Sequence, residues 1–301
     1  MIRAAENYVA VRRACGFELV KSEGLLRSYA RFATARGETH VRTATAIDWA
    51  TLGVSVAQRD ERLKTVCRFA RFLRAEDSRH ETPPPNHFAY HKTRRPPYIY
   101  SPAEVDRLMD AALHIGIPGS LEPQAYFTLV GLLAATGLRI REALSLRFAD
   151  ITPSGLLIRK AKFKKTRLAP LHDSTTAAID RYLALRRGAR VDREGIFITD
   201  DGRPLVYGTV RRNFRKMLAH AKIAPAGGRW PRIHDLRHTF AVRALETCPE
   251  GRQRVGQHML ALATYMGHVN IVDTYWYLEA TPELLRDIAT AGEVHLCGGL
   301  R

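Results

Sequence analysis

His234-Asp235-Leu236-Arg237-His238-Thr239-Phe240 is the stretch of this 301-residue chain from which the rest can be read. On a helix, His234 and Arg237 stand at i and i+3 and share a face, so both can reach one anion, while Leu236 and Phe240 at i and i+4 pack together. His234 and His238 at i and i+4 could instead hold a metal. No glutamate follows the first histidine, however, and no third ligand stands nearby, which favours a phosphate as the occupant.

Working outward from that helix, other segments supply groups of the same kind. Ala134-Ala135-Thr136-Gly137-Leu138-Arg139-Ile140-Arg141-Glu142 sets Arg139 just past a tight glycine turn, where the next helix also offers free N–H groups to an anion. Alone, an arginine at a helix start reads as well as a salt-bridged surface residue. From Arg159 to Arg167, six cations fall in nine residues across a turn between two strand-like runs. A charge run is commonly a solvated face, but strands that fix the turn make a phosphate contact the stronger reading. A lysine held there can protonate a leaving oxygen. Tyr265-Met266-Gly267-His268 ends a helical run and adds a histidine, and Tyr277 follows beside Trp276 and Leu278, where packing is the ordinary role of a tyrosine. Taken together, Arg139, Lys162, His234, Arg237 and His268 are phosphate-binding groups around one potential nucleophile, Tyr277.

Composition points the same way. Lys+Arg 47 against Asp+Glu 30 gives a formal charge of +17 and a pI near 10.2. The surplus is shared between residues 1–100 and the remainder. That distribution fits a duplex nucleic acid gripped from two sides better than a small acidic metabolite. Cys15, Cys67, Cys248 and Cys297 have neither C-x-x-C pairing nor metal-ligand spacing and read as reduced thiols. With no signal-peptide pattern and no apolar run near the ~18 residues of a membrane span, a cytoplasmic location is expected, with no membrane partner.

Proline clusters in residues 82–100 exclude regular helix and suggest an extended linker, whose Arg94 and Arg95 can track a phosphate backbone or simply be solvated. Residues 1–81 read as helical. Over 60–75, Leu63, Val66, Phe69, Ala70 and Leu73 recur at helical spacing, with Lys64, Arg68, Arg71 and Arg74 elsewhere on the helix. That basic stripe is either an ordinary solvated face or a DNA contact. Residues 101–301 open with a capping box at Ser101-Pro102-Ala103-Glu104. They continue as a buried helix over Ala125–Ala135 and a helix from Arg139 to about Arg147. Strands are expected at Leu156–Lys160, Arg167–Leu171 and Ile196–Ile198, with a helix over Ser174–Arg186 and helices to the end. The class is mainly α with a small β-sheet.

With these segments in view, the chain resembles the tyrosine recombinase family, of the phage integrase type. The pattern Thr-Gly-Leu-Arg…Lys…His-x-x-Arg…Gly-His…Tyr occurs in order from residue 101 to about 285. The resemblance implies that Arg139 and Arg237 clamp the phosphate, that Lys162 is the general acid, that His234 and His268 are the two histidines, and that Tyr277 is the nucleophile. It also makes Glu142 the support of Arg139. Lys162 is aligned by the following Arg167-Leu168-Ala169-Pro170-Leu171, with Lys160, Lys164 and Lys165 beside it as DNA contacts. Three positions depart from the usual pattern: Met266, Phe163, and Tyr275 as a neighbouring hydroxyl. The family further implies a helical core-binding domain over 1–81 and a catalytic domain that close as a C-shaped clamp on double-stranded DNA. A homo-tetramer forms in the synaptic complex of such enzymes, the free protein being monomeric or not, in a prokaryotic cytoplasm. Because bond energy is conserved in a phosphotyrosyl link, neither ATP nor metal is implied. The rivals are a type IB topoisomerase, which uses the same chemistry, and a DNA-binding regulator that retains only the fold.

Overall fold

The computed structural model describes residues 1–91, 95–159, 166–188, 194–225, 227–247, 252–267, 270 and 274. They form two compact units, Met1–Arg95 and Pro96–Arg301. The boundary falls inside the proline-rich stretch, and that stretch is docked for part of its length. Cys67 Sγ donates to Pro83 O at 3.0 Å and Phe88 packs on the first unit's core, while Tyr100 is buried in the second. Proline forbids helix but keeps a carbonyl that can accept, so exclusion from helix is not freedom from packing.

The first unit is four helices: α1 (Ile2–Ala14), α2 (Val20–Ala35), α3 (Thr43–Thr51) and α4 (Val56–Arg74). Its core joins Leu26, Tyr29, Trp49, Leu63, Val66 and Phe69, with edge-on aromatic pairs Tyr29–Trp49 at 5.5 Å and Tyr8–Phe72 at 5.0 Å between ring centroids. Ser55 caps α4 by accepting from Gln58 N. On the face opposite the core, Arg68, Arg71 and Arg74 are exposed. Lys64 is less available, because its ammonium lies 2.9 Å from Asp60 one turn earlier.

The second unit begins with α5 (Pro102–Ala112), whose capping box forms as expected: Ser101 Oγ accepts from Glu104 N, and Ser101 N donates to Glu104 Oε2. Next comes α6 (Leu121–Thr136), buried on most of its surface through Tyr126, Leu129, Val130 and Leu133. It stops at Gly137, whose φ of +59° suits glycine and whose Cα lies against the Phe240 ring, leaving no room for a Cβ. The following helix, α7 (Ile140–Leu144), is shorter than the expected run to Arg147. Ser145 Oγ turns back to Glu142 O, and Asp150 Oδ2 accepts from Arg147 N to start a separate 3₁₀ turn at Phe148–Asp150. These side-chain bonds compete with helix continuation.

Strands β1 (Ile151–Thr152), β2 (Gly155–Ile158) and β3 (Arg167–Ala169) form one antiparallel sheet in that order, with Leu156 opposite Ala169 and Ile158 opposite Arg167. Pro170 cannot donate to the ladder, which ends β3 short of Leu171. The expected strand at Ile196–Ile198 does not join this sheet. Those residues are buried, but the segment makes only single bridges, Gly195 to Arg147 and Ile198 to Pro204, because an apolar run requires burial without specifying a strand partner. Among the described residues four more helices follow: α8 (Asp173–Gly188), α9 (Tyr207–His220), α10 (Ile233–Glu246) and α11 (Arg252–Met266).

Candidate active site

The site gathers where α7, β3 and α10 meet the last turn of α11. A helix end leaves carbonyls without partners inside the helix, and those of α11 are met by three arginines from three other elements. Arg139, the residue before α7, donates to Met266 O at 3.4 Å and to Gly267 O at 3.2 Å. Arg237, in the first turns of α10, donates to Met266 O at 2.8 Å and to Gly137 O at 2.6 Å. Arg167, at the start of β3, donates to Tyr265 O at 2.9 Å. Arg139 and Arg237 therefore share one acceptor, although 98 residues separate them in the chain.

Behind them lies Glu142. Its Oε1 accepts from Arg139 Nη1 at 2.8 Å and Arg167 Nη1 at 3.1 Å, and its Oε2 accepts from Arg139 N at 3.0 Å and Arg167 Nη2 at 2.8 Å. Burial pushes this carboxyl up, but the guanidiniums of Arg167 and Arg139 outweigh burial and hold it down at about 2. Two cations on one anion leave a net positive charge, on the side where Arg139 is the more open of the pair.

His234 and Arg237 stand one turn apart as their spacing requires, but they are not equally open. His234 is exposed, whereas Arg237 is 2% accessible. The His234 ring packs edge-on against His238 at 4.8 Å. Although the side chain reaches solvent, the bulk of protein on its other sides, and then the charges of Arg237, Arg232 and Arg139, push its pKa down to about 4, so near neutral pH it is a neutral imidazole. Among the described residues no third ligand joins His234 and His238. The stacking of Phe240 on Tyr265, 5.5 Å between centroids, ties α10 to α11. Residues just before α5 also grip α10: Tyr100 N donates to Thr239 Oγ1, and Arg243 Nη2 to Tyr100 O.

A different cluster, His40, Asp77 and His80, gathers in the first unit. His80 Nδ1 accepts from Val41 N at 3.0 Å, so its other ring nitrogen carries the proton. With one nitrogen accepting and the other protonated, His80 is closed to a metal, and the cluster reads as a polar tie between chain segments. Cys15 and Cys67 are free thiols, and burial raises that of Cys67. No helix among the described residues is long and apolar enough to cross a membrane.

Lys162, His268, Tyr277 and its neighbour Tyr275, together with Lys160, Lys164, Lys165 and Arg94, lie outside the described residues. Arg95 is half-buried at the end of the first unit.

A model described as the phage integrase family matches residues 100–283. The chain belongs to that family. It is a site-specific tyrosine recombinase, an enzyme that breaks and rejoins DNA. A protein of Sinorhizobium fredii named as an integrase/recombinase, y4rB, is 36% identical over 297 residues, which cover 95% of this chain and 94% of that one. Tyrosine recombinase XerD of Oceanobacillus iheyensis is 27% identical over 241 residues, 78% of this chain and 75% of its own length. In fold the chain is similar to a lambda integrase tetramer bound to a Holliday junction, with a TM-score of 0.64 at 16% identity, over 91% of this chain and 76% of that one.

Within this integrase, Arg167 is a member of the site that its sequence marks only as the last of six clustered cations and the start of Arg167-Leu168-Ala169-Pro170-Leu171. No signal in the sequence marks it as a site residue, since two-residue alternation alone would turn Leu168 inward; in the structure Leu168 faces out at 41% exposure, Ala169 is buried, and Arg167 lies on the inward side with Ala169. An inward charge on a strand calls for a partner, and Glu142 is that partner.

Proposed function

We infer that Tyr277 is the nucleophile, attacking a scissile phosphate of double-stranded DNA to form a 3′-phosphotyrosyl link. The bond from phosphorus to the 5′ oxygen breaks, Lys162 donates a proton to that oxygen, and the tyrosine proton leaves to solvent. Arg139 and Arg237 bear on the non-bridging oxygens, with His234, a neutral imidazole, and His268 each donating a ring N–H. Reversal of the same step by another strand's 5′-hydroxyl completes strand exchange without an external energy source, in a tetramer on two DNA sites. Both units carry positive charge and contact the same duplex, through Arg68 and Arg71 in the first unit and Lys160, Lys164 and Lys165 in the second.

The observation that carries this reading is the convergence of Arg139 and Arg237 on Met266 O, two residues before His268 and eleven before Tyr277. That arrangement sets two forked cations beside the start of the segment that runs on to His268 and Tyr277. The experiment is covalent trapping on a nicked suicide substrate. Tyr277→Phe is expected to form no adduct at nearly unchanged DNA affinity, and Tyr275→Phe to form it normally; the reverse result would move the nucleophile to Tyr275. On a 5′-bridging phosphorothioate, whose thiolate leaves without a proton, Lys162→Ala is expected to regain the rate it loses on ordinary DNA. If the regain belongs to Lys160, Lys164 or Lys165 instead, the acid is that residue.

A further inference from the structure

We propose that Arg167 is a positioning residue for cleavage: its guanidinium, shared between Glu142 and the carbonyl of Tyr265, holds Arg139 and the Gly267 turn in one fixed relation. This rests on the reading of Arg139 as a phosphate clamp.

The geometry makes Arg167 the common neighbour of everything around that clamp. Nη1 and Nη2 form a fork on the two Glu142 oxygens at 3.1 and 2.8 Å, and Nε reaches Tyr265 O at 2.9 Å. A carboxylate held by such a fork cannot swivel, and the same carboxylate holds both the backbone N and the Nη1 of Arg139. Arg167 thereby sets the plane in which Arg139 is presented. Its side chain is only 12% exposed, so it is a support for the clamp and has little surface to offer a substrate.

The same guanidinium also crowds a glycine whose left-handed backbone already disfavours a side chain. Gly267 has φ +66°, and a Cβ there would come within 3.1–3.2 Å of Arg167 Nη1, Cδ and Cζ. The turn immediately before His268 is thus packed flat on Arg167, and any side chain at 267 would have to displace it. Arg167 also opens β3, so it ties the base of the lysine hairpin to the end of α11. One guanidinium couples the three segments that carry Arg139, Lys162 and His268.

Rates of adduct formation in single turnover, on ordinary DNA and on DNA with a neutral methylphosphonate at the scissile position, test this. A neutral phosphonate needs less positive charge in the transition state, so Arg139→Ala should lose far less rate on it than on the phosphodiester. Arg167→Gln should be slowed about tenfold to a hundredfold on ordinary DNA, the scale of a displaced reacting group. It should keep its DNA affinity and share the selective recovery of Arg139→Ala. An Arg167→Gln enzyme equally slow on both substrates has a general structural defect, and the proposal falls while the Arg139 reading stands. If Arg139→Ala itself shows no recovery, the clamp reading falls and takes the proposal with it. Gly267→Ala, which keeps Arg167 but pushes its guanidinium aside, is the second variant: should Arg167→Gln melt too low to assay, the same selective recovery in Gly267→Ala supports the proposal and its absence overturns it.

Discussion

One carboxylate, Glu142, faces two guanidiniums while nearly out of water, and its ionisation is therefore linked to folding. The folded carboxyl titrates at about 2 against an ordinary value of 4.5. A depressed carboxylate stabilises the fold fully above the unfolded pKa and loses that contribution as pH falls through the folded one. The shift corresponds to about 3 kcal/mol by the usual conversion. Wild type should therefore exceed Glu142→Gln in urea-unfolding free energy by an amount that is full at pH 6 and visibly smaller by pH 3. A gap that stays constant over that range would mean the charge of Glu142 does not hold Arg139 and Arg167. His234 titrates in the opposite charge sense, neutral to cationic, and its low value of about 4 leaves it a neutral imidazole near neutral pH.

At the scale of elements, the site depends on where helices stop. α6 ends at Gly137, and the carbonyl of that glycine accepts from Arg237. The residue that turns the chain toward Arg139 thus also anchors the other arginine. Gly137→Ala would strain a left-handed backbone by roughly 1–2 kcal/mol and drive a methyl into the Phe240 ring, at about 1–3 kcal/mol more. A loss of about 2–5 kcal/mol in unfolding free energy is expected, with adduct formation falling more than DNA affinity because Arg237 loses its fixed acceptor. A Gly137→Ala enzyme as stable as wild type would show that the turn tolerates a side chain. α11 ends in the same spirit: its last carbonyls are held by arginines instead of by solvent, which fixes the point from which the chain runs on to His268 and Tyr277.

For the whole molecule, the relevant facts are two units with separate cores and a positive charge carried by both. Arg68 and Arg71 on α4 are remote in sequence from every catalytic group and exposed on a face opposite the core. In the proposed interface their part is electrostatic, and each phosphate contact would contribute close to 0.9 to the slope of log K against log salt. Changing both to alanine should weaken binding and flatten that slope by about 2, with the adduct-forming rate at saturating DNA unchanged. Equal slopes in wild type and variant would take α4 out of the DNA interface. Lys64 should matter less than either arginine, because Asp60 already neutralises it.

The sequence by itself determined what depends on local spacing. The His234-x-x-Arg237 pair declares a shared helix face through 3.6-residue periodicity, Ser101 to Glu104 declares a capping box, and Thr136-Gly137 declares a helix end. The chemistry of each group was legible because its type and near neighbours suffice to state it. Tertiary structure alone decided which of those groups bear on one another. Nothing in the spacing of Arg139 and Arg237 says that both bind Met266 O, since that contact is made by folding α11 back across residues far apart in the chain. Arg167 escaped for the same reason: its importance lies in a carboxylate 25 residues earlier and a carbonyl 98 residues later. The run Ile196–Ile198 escaped in the opposite direction. Its apolar content correctly required burial, but burial does not specify a strand partner, and hydrogen-bond pairing is settled only when distant segments meet.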